Sequence, residues 1–440
     1  MPAPSAALLL PAWVDPAQLF AGGPAQHPHA FWLDAGPDAT AGWSWLGIGA
    51  PERDPSVVRD VLCARGAGRE ERPWGPFAGG WVGWHGYDDG AARAGVSALP
   101  IQDGIPQDLW LRVTRFVSVD HARRRLWVVA PPDELDGFAL EVQGWALAGS
   151  AAVIGAADAG PPVQARARHT PADYADLVQR CRDAIRAGDA YQLCLTTRFE
   201  IDGRVDAIDA YGRLRSATPA HHGGLVRSAP FALASASPEQ FLQVHDGHVR
   251  TRPIKGTRPR GTDAASDVRL SAELLASEKE RAENVMIVDL MRNDLSQVCE
   301  PSTVAATGLL AVESYPAVHQ LVSTVEGDLR EGTTVGRLWD ATFPAGSMTG
   351  VPKLSAMTIL RRLEGAERGV FAGCYGWIGV DGDLDLAMVI RSIVTSAAGA
   401  YVGAGGGITW LSDAADEVAE VGVKARGPLA AVGAGLPRGW

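Results

Sequence analysis

Two pairs of glutamates with the spacing Glu-x-x-Glu are the first residues in the sequence that could do chemistry. Glu280 and Glu283 lie in SEKERAENVMIVDLM, and Glu417 and Glu420 lie in DEVAEVGVK. Residues three apart share one face of a helix, so each pair places two carboxylates together. Two such pairs on separate helices could form an oxygen cage for Mg²⁺. Solvated helix faces explain most such pairs, and Ser277 could make Glu280 part of a capping box.

Lys255 lies in the stretch RPIKGTRPRG, residues 252–261, directly after a predicted strand. It could be a surface charge, a phosphate contact or a nucleophile, and composition alone favours a surface lysine because lysines are mostly exposed. A lysine nucleophile must be neutral, and burial and neighbouring cations both favour the neutral form. The neighbouring cations in the sequence are Arg252, Arg258 and Arg260.

Two further features could contact an anion. The run AGGGI at 404–408 ends a predicted strand, where glycines allow a ligand to approach the backbone N–H groups. A bulge or sharp bend explains the glycines equally well. Arg391 interrupts the apolar stretch LAMVIRSIV and needs a partner, either an anionic ligand or a structural carboxylate. The strand runs on after the glycines, so a dinucleotide-binding fingerprint is not predicted.

Composition limits the class of protein. The chain has 440 residues, 46% of them hydrophobic, and a net charge of −11, which argues against general nucleic-acid binding. Five cysteines are scattered without a CxxC pair, as expected in a reducing compartment. No apolar run reaches membrane-spanning length, and the run from Ala6 to Leu10 is too short for a signal peptide. We expect a soluble cytoplasmic protein that binds neither nucleic acid nor membranes.

The sequence divides into two regions joined by a linker. Residues 1–150 combine many tryptophans and glycines with short apolar runs such as AFWLDA and LWLRVTRFVSVD, which predict strands. The stretch 150–169 is dominated by Ala, Gly and Pro and is the predicted linker. Residues 170–436 form the second region.

Helices and strands are mixed in the second region. Thr170 and Asp173 predict a helix start, and the strand AYQLCLTTRFE follows, with Gln192 on a face that could line a site. FALASASPEQFLQV and GHVRTRPIK predict a hairpin-like pair of strands, and residues 266–297 predict a long helical region. DLDLAMVIRSIVTS and AYVGAGGGITWL predict two strands, and Asp413 begins a last helix. Without strict βαβ alternation, this mixture predicts the α+β class, with large mostly antiparallel sheets and flanking helices.

Together, these segments resemble the chorismate-utilising enzymes, a family that includes the anthranilate, aminodeoxychorismate, isochorismate and salicylate synthases. The matching motifs in chain order are FWLDA, PFAGGWVGWHGYD, AGDAYQ, SPEQF, PIKGTRPRG, SEKERAENVMIVDLMRND, VHQLVST, FPAGSMTGVPK, MVIRS, GAGGGI and SDAADEVAEVGVKA. The resemblance implies that residues 1–150 are the amino-terminal region of the anthranilate synthase component I type. It also implies that residues 170–436 are the chorismate-binding catalytic region.

The variant PIKGT is the informative motif within this family. Anthranilate and isochorismate synthases usually have alanine where this chain has Lys255, whereas the lysine is typical of aminodeoxychorismate synthases. The resemblance implies that Lys255 attacks C2 of chorismate as the C4 hydroxyl leaves. Ammonia then adds at C4 and expels the lysine, giving 4-amino-4-deoxychorismate, the precursor of 4-aminobenzoate in folate biosynthesis.

Other roles are implied by position in the same motifs. Glu239 of SPEQF matches the general acid that protonates the departing hydroxyl. Gln192 stands where isochorismate and salicylate synthases have a lysine that activates water, so attack by water at C2 is not expected here. The positions that match contacts to the substrate are Gln192, Gly256, Thr257, Thr349, Arg391, Gly405, Gly406, Gly407 and Lys424.

The resemblance also implies Mg²⁺ as the cofactor. Glu283 and Glu420 match its ligands, and Glu280 and Glu417 lie behind or beside them through water. The ion would hold the ring carboxylate of a dianionic substrate.

Three departures from the family pattern affect the expected activity. Gln320 stands where a histidine usually precedes LVS, and His319 comes before it. In anthranilate synthases that histidine is associated with pyruvate loss, so its absence fits an enzyme that stops at the amino intermediate. TPAHHGG replaces the motif of the tryptophan feedback site, which makes feedback inhibition doubtful. Phe371 stands where a tyrosine is common.

The source of ammonia and the alternative functions complete the expectations. The sequence has no G-x-C-x-G amidotransferase motif, so we expect ammonia from a separate glutamine amidotransferase subunit or from solution. The nearest alternative is an anthranilate synthase or another amino-chorismate synthase. A non-catalytic binding subunit of the family and a Schiff-base lysine enzyme of unrelated fold are further alternatives.

Overall fold

Helices and two large antiparallel sheets make up most of the fold. The computed structural model describes residues 5–63, 71–97, 99–100, 103–151, 154–155, 163–315 and 318–440. Helices pack against the sheets, and a two-stranded parallel pair lies apart from them. The predicted α+β class, with large mostly antiparallel sheets and flanking helices, is confirmed.

The larger sheet combines strands from both ends of the chain. In spatial order, with numbering along the chain, its strands are β1 (Ala6–Leu9), β8 (Arg125–Ala130), β7 (Phe116–Asp120), β3 (Trp43–Ile48), β2 (His29–Asp34), β12 (His222–Ser228), β13 (Phe231–Ser237), β22 (Ser392–Thr395), β23 (Gly399–Ile408), β11 (Gln192–Asp202) and β10 (Arg166–Ala167), with β19 (Gly350–Val351) beside β11. β11 and β23 stay paired without a break in register.

The smaller sheet is also antiparallel. In spatial order its strands are β16 (Ile254–Pro259), β18 (Val318–Asp328), β15 (His248–Thr251), β14 (Gln240–His245), β21 (Leu384–Met388), β20 (Cys374–Gly379), β5 (Gly80–His85), β6 (Asp108–Val113) and β4 (Ala50–Pro51), with β17 (Ala305–Ser314) beside β18. The parallel pair is β9 (Val163–Gln164) with β24 (Ala434–Gly435). The register of β16 against β18 shifts between Ile254 and Thr257, so Lys255 lies in an irregular stretch of strand.

Helices follow or connect the strands. They are α1 (Pro16–Gly22), α2 (Ser56–Arg59), α3 (Tyr87–Arg93), α4 (Leu135–Ala148), α5 (Pro171–Arg186), α6 (Ala207–Ala217), α7 (Ala264–Ala276), α8 (Glu278–Ser296), α9 (Val335–Thr342), α10 (Lys353–Glu364) and α11 (Ala414–Ala431), with 3₁₀ turns at Pro24–Gln26, Gly149–Ala151 and Gly346–Met348. Among the described residues, none of these helices has the length and apolar character needed to cross a membrane.

Two hydrophobic cores hold the layers together. Alternation along β2 sends Phe31 into one core, with residues of the smaller sheet such as Trp84. The same alternation sends Trp32 to the opposite face, where it packs with residues of the outer helices such as Tyr174 and Val421. The larger sheet is therefore covered on both faces, by the smaller sheet and by helices.

Two crossovers between the sheets bring the site together. The predicted run FALASASPEQFLQV is split, since β13 belongs to the larger sheet and β14 to the smaller one. The predicted strand DLDLAMVIRSIVTS is split in the same way between β21 and β22. Glu239 lies in the first crossover and Arg391 in the second, and backbone hydrogen bonds join the two crossovers. The predictions of single continuous strands were wrong here. The strand residues on both sides of each break are buried, so the sequence shows no polar boundary between the two strands.

The local helix predictions are mostly confirmed. Thr170 and Asp173 form a reciprocal capping box at the start of α5. The predicted helical region 266–297 consists of two helices, α7 and α8, because Ser277 leaves helical geometry and caps α8 through the backbone N–H of Glu280.

Strands from the first 150 residues are interleaved with later ones. β2 pairs with β12 in the larger sheet, and β5 pairs with β20 in the smaller sheet. The predicted linker, 150–169, lies in part outside the described residues, and the division into regions stays a prediction.

Candidate active site

A cavity of about 460 Å³ collects most of the predicted site residues. Those that line it are Glu239, Lys255, Gly256, Thr257, Glu280, Glu283, Arg391, Gly405, Gly406, Gly407, Glu417, Glu420 and Lys424. They come from β16, β23, α8, α11 and the two crossovers. Gln192 and Thr349 are buried just behind the wall. The Thr349 hydroxyl donates to the Ala345 carbonyl, 3.2 Å away, and is therefore already engaged.

Lys255 and Gln192 converge on one glycine. A methyl group added at Gly407 would lie 2.6 Å from Gln192 Nε2 and 3.5 Å from Lys255 Nζ. Gln192 is 1% exposed, and its Oε1 finds no hydrogen-bond partner within the described part of the chain. Lys255 Nζ likewise forms no hydrogen bond or ion pair with the described residues. The two side chains thus meet over Gly407, with Lys255 on the cavity wall and Gln192 behind it.

The charge environment of Lys255 differs from the expectation. Burial disfavours its ammonium, but the nearby carboxylates, Glu283 foremost, outweigh burial and raise the pKa of Lys255 above its ordinary value. The lysine is therefore charged in the resting protein.

The neighbouring arginines do not depress the pKa of Lys255, which corrects the reasoning from sequence. Each of them is paired with a carboxylate of its own. The partners are Glu313 for Arg252, Glu280 for Arg258 and Asp267 for Arg260. The three arginines are close to Lys255 in sequence, but in the fold each of them pairs with another residue.

Glu239 is a buried carboxyl group that favours its protonated form. It is 6% exposed and lies in the crossover after β13. Burial raises the pKa of Glu239, while a hydrogen bond with Ser347 and the charges of Lys255 and Lys424 oppose that rise. A protonated carboxyl group facing a cavity can act as a general acid.

The four glutamates of the two Glu-x-x-Glu pairs form one rim of the cavity. Glu283 is 7% exposed, and its Oε1 has no hydrogen-bond partner among the residues that the structure describes. A methyl group on Gly406 would lie 2.7 Å from Glu417 Oε2, and one on Gly256 would lie 3.0 Å from Glu280 Oε2. Because these two glycines lack a side chain, the carboxylates of Glu417 and Glu280 can lie close to their backbone.

Lysines neutralise this rim. Lys279 lies 3.7 Å from Glu417, and Lys424 lies 2.5 Å from Glu420 and 2.8 Å from the Gly405 carbonyl oxygen. Burial raises the pKa of Glu283 and of Glu417, as expected where carboxylates gather.

The donor set of the rim fits a hard cation. Four carboxylates and an orphaned buried oxygen are the ligands that Mg²⁺ prefers. The rim is open, however, because within the described residues no three of the four glutamates bring ligand atoms within 4.8 Å of one another. Binding an ion would require these flexible side chains to close on it.

The opposite wall offers positive charge. The Arg391 guanidinium forms no hydrogen bond or ion pair with the described part of the chain, and it lies in the field of Glu420. The glycine run is not a bulge, since β23 keeps its register against β11 from Gly399 to Ile408. A methyl group on Gly405 would lie 2.3 Å from the Leu195 carbonyl oxygen, so close strand approach explains this glycine.

Two of the departures from the family pattern face the cavity. Gln320 and Phe371 line it. His319 points to the other side of β18, where Nε2 lies 2.9 Å from Asp267 Oδ1 and Nδ1 lies 2.8 Å from the Ser314 hydroxyl. His319 therefore cannot take the place of a histidine at position 320.

A buried ion pair beneath the cavity was not recognised in the sequence. Arg368 donates to both carboxylate oxygens of Glu364 and to the carbonyl oxygens of Cys194 and Met348. Glu364 Oε1 also accepts from the backbone N–H and the hydroxyl of Thr196, each at 2.9 Å. Cys194, Thr196 and Met348 line the cavity, so this pair fixes its floor. The spacing of four residues from Glu364, at the end of α10, was the available clue.

Ser347 and Lys279 also line the cavity and were not singled out from the sequence. Ser347 lies in the motif FPAGSMTG, and Lys279 lies between Ser277 and Glu280. Neither residue type is distinctive on its own.

A buried amine, a buried carboxyl group with a raised pKa and a carboxylate rim around one cavity are characteristic of an enzyme. Comparison with known proteins identifies which family of enzymes. The family model described as chorismate binding enzyme matches residues 50–430. The chain therefore belongs to the chorismate binding enzyme family.

Similar proteins include two kinds of synthase. An aminodeoxychorismate synthase of Streptomyces pristinaespiralis is 38% identical over 88% of this chain and 56% of that protein. One of Streptomyces griseus is 39% identical over 81% of this chain and 51% of that protein. Anthranilate synthase component 1 of Mycobacterium tuberculosis H37Rv is 36% identical over 92% of this chain and 81% of that protein. The chain thus spans about half the length of the two aminodeoxychorismate synthases.

Solved structures share the fold. Anthranilate synthase component I of Streptococcus pneumoniae TIGR4 superposes with a TM-score of 0.74 at 28% identity, covering 97% of this chain and 92% of that one. The menaquinone-specific isochorismate synthase of Escherichia coli gives a TM-score of 0.68 at 15% identity, covering 98% and 95%.

Proposed function

We propose that this chain converts chorismate and ammonia to 4-amino-4-deoxychorismate, the reaction of aminodeoxychorismate synthase component I, for 4-aminobenzoate and folate biosynthesis. The observation that carries the proposal is the position of Lys255. Its ammonium, which has no hydrogen bond or ion pair within the described ranges, lines the cavity from the irregular stretch of β16 and lies near Gln192 over Gly407. The two Streptomyces relatives support the same assignment.

The first step joins Lys255 to the substrate. The lysine nitrogen forms a bond to C2, the two conjugated ring double bonds shift along the ring, and the C4–O bond breaks. Glu239 gives its proton to the departing hydroxyl, which leaves as water. The raised pKa of Glu239 supports this role, because a buried carboxyl group keeps its proton at a pH where an exposed one would lose it.

The second step exchanges the nitrogen. Ammonia forms a bond to C4, both double bonds shift back, and the C2–N bond to Lys255 breaks. The lysine nitrogen takes up the proton that ammonia loses. Gln192 stands at the position of the water-activating lysine of isochorismate and salicylate synthases, and its amide cannot act as a base.

Lys255 must lose its proton before it attacks. Burial is the largest influence on its pKa and lowers it, while the carboxylates raise it. A bound substrate displaces water from the cavity and strengthens the effect of burial. Neutralisation of Glu283 and Glu420 by Mg²⁺ would remove charges that raise the pKa of Lys255 and would therefore favour the neutral amine.

Carboxylates of the substrate need positive partners. Mg²⁺ held by Glu283 and Glu420, with Glu280 and Glu417 beside them, would neutralise the ring carboxylate and the glutamates together. Arg391 and Lys424 lie on the cavity wall and suit a second carboxylate. These cations make the cavity locally positive enough to hold an anion, although the whole chain has a net charge of −11.

Ammonia is supplied in this proposal by a glutamine amidotransferase that acts as a separate subunit. Because ammonia is mostly protonated at neutral pH, a nearby source provides nucleophile that bulk solution cannot. All five cysteines are free and buried, in keeping with a cytoplasmic location.

The deciding experiment is an assay with chorismate, Mg²⁺ and ammonium, with products separated by chromatography and identified by mass. We expect 4-amino-4-deoxychorismate. With glutamine in place of ammonium, the purified chain should form product only after the amidotransferase is added. Anthranilate as the main product would overturn the proposal, and so would the absence of turnover under all these conditions.

Anthranilate synthesis is the second candidate, since the relative from Mycobacterium tuberculosis is nearly as similar as the Streptomyces enzymes. The same assay separates the two functions. Gln320 on the cavity wall disfavours anthranilate synthesis, because an amide cannot exchange protons as the family's histidine can.

A further inference from the structure

His85, Asp89 and Asp108 form a compact cluster outside the cavity. Their ligand atoms lie within 4.8 Å of one another, which is true of no other group of three or more His, Cys, Asp or Glu residues within the described ranges. His85 ends β5 and pairs directly with Asp108 of β6. Asp89 follows His85 by four residues, in the first turn of α3. The end of β5, the start of β6 and the helix between them, α3, therefore converge at one point.

The imidazole of His85 is held in one orientation. Its Nδ1 lies 2.6 Å from Asp108 Oδ1, and its ring stacks on Trp339 with the centroids 4.6 Å apart and the planes within 1°. Only 1% of the His85 side chain is exposed. In the neutral imidazole whose Nδ1–H donates to Asp108, Nε2 carries the lone pair.

No hydrogen-bond donor among the described residues contacts this lone pair. Nε2 of His85 is buried without a hydrogen-bond partner among the described residues, and it faces Asp89 Oδ2 at 3.8 Å. Two acceptors that face each other across such a gap require a cation or a proton between them.

The two carboxylates of the cluster have further contacts. Asp89 Oδ2 also accepts from Arg93 Nε at 2.8 Å, and Asp108 Oδ1 lies 3.4 Å from Trp110 Nε1. The Asp89 side chain is 32% exposed, so an ion can reach the gap from solvent.

We propose that His85 Nε2 and Asp89 bind a divalent transition-metal ion of the Zn²⁺ class, with Asp108 as the residue that orients the imidazole. Imidazole with carboxylate suits Zn²⁺ and Co²⁺ better than Mg²⁺. The 3.8 Å gap accommodates two metal–ligand bonds of about 2.0–2.2 Å, and water completes the coordination. A carboxylate on the far nitrogen of a ligating histidine is a common supporting contact. The ion would link α3 to the paired strands β5 and β6.

The test is a titration of the full metal-free chain with Co²⁺, followed by visible absorption. We expect one equivalent that depends on His85. Asp89→Asn should weaken it at least tenfold, and Asp108→Asn should weaken it by about 10- to 100-fold, because the orienting contact is lost. Arg93→Gln should tighten binding, since the guanidinium competes for the Asp89 carboxylate. Asp340→Asn, an exposed carboxylate near Arg93, is the matched control and should leave binding unchanged.

Two variants keep the result decisive. His85 packs in the core, so His85→Gln could disturb folding, whereas Asp89 is partly exposed and Asp89→Asn tests the same site without that risk. Glu283→Gln alters the cavity rim and should leave the His85-dependent absorption in place. A Co²⁺ response that survives both Asp89→Asn and His85→Gln, or no response beyond the one that Glu283→Gln removes, would overturn the proposal. In that case, a proton on Nε2 bridges the two residues.

Discussion

Lys279 of α8 and Glu417 of α11 form an ion pair across the cavity rim, with Nζ 3.7 Å from Oε1. Glu417 is buried, whereas the Lys279 side chain is 43% exposed. Burial alone would lower the pKa of Lys279, but Glu417, Glu283 and the other two rim glutamates raise it. Lys279 therefore supplies positive charge at the place proposed for Mg²⁺.

Replacing Lys279 should strengthen Mg²⁺ binding. An ion pair with an exposed partner contributes about 0.2–1 kcal/mol, so its removal predicts binding about 1.4- to fivefold tighter in Lys279→Met. Calorimetric titration with Mg²⁺ measures this directly and does not depend on turnover. Lys279→Arg keeps the charge and is the control. Equal or weaker affinity in Lys279→Met would show that Lys279 does not compete with the ion.

Ser347 should set the pH range in which Glu239 acts. Glu239 must be protonated, so the rate should fall as the pH rises through its raised pKa. Ser347→Ala removes a hydrogen bond that lowers this pKa, so the alkaline limb of the rate profile should move to higher pH. Profiles of kcat/KM at a fixed concentration of free ammonia give the measurement.

Two further variants test this prediction. Ser237→Ala is the matched control, because the Ser237 hydroxyl contacts only the backbone of Glu239. Glu239→Gln should lower turnover by about 10²- to 10⁴-fold, as expected for loss of a general acid. A limb that stays in place in Ser347→Ala would assign the proton transfer to another group.

The sequence predicted the elements whose causes are local. Thr170 and Asp173 cap α5 within four residues, and Glu280 and Glu283 share a face of α8 by spacing alone. The switches between sheets were missed because both sides of Pro238 and of Arg391 are buried strand. Which sheet a strand joins depends on partners far away in sequence, and periodicity of two carries no information about them.

The same distinction applies to the site. Residue types and spacing predicted the glutamate pairs and Lys255, and the fold gathers them in one cavity. The charge of Lys255 was misjudged because arginines close in sequence pair elsewhere, while glutamates distant in sequence surround it. Electrostatics depends on distances in space, which a sequence does not contain.

The buried pair Glu364–Arg368 should be essential for stability. Removing one partner leaves an uncompensated buried charge, so Glu364→Leu and Arg368→Met should each destabilise the protein by about 3–5 kcal/mol. The double variant should lose less than the sum of the two, because no charge remains unpaired. Urea unfolding followed by circular dichroism measures the free energies. Strictly additive losses would mean that the pair contributes little beyond its separate contacts.

Lys255→Ala should abolish formation of 4-amino-4-deoxychorismate with the fold intact. Without the lysine, ammonia can attack C2 itself, so slow formation of a C2-aminated product is expected in its place. Lys255→Arg is the matched control: it keeps the positive charge among Glu283, Glu239 and Glu420 but supplies no free amine, and it should also fail to aminate C4. Chromatography with mass detection separates the two amino products, and rapid acid quenching of the unaltered enzyme should reveal protein with bound substrate. Full activity at C4 in Lys255→Ala would rule out the covalent route and leave direct attack of ammonia on chorismate as the mechanism.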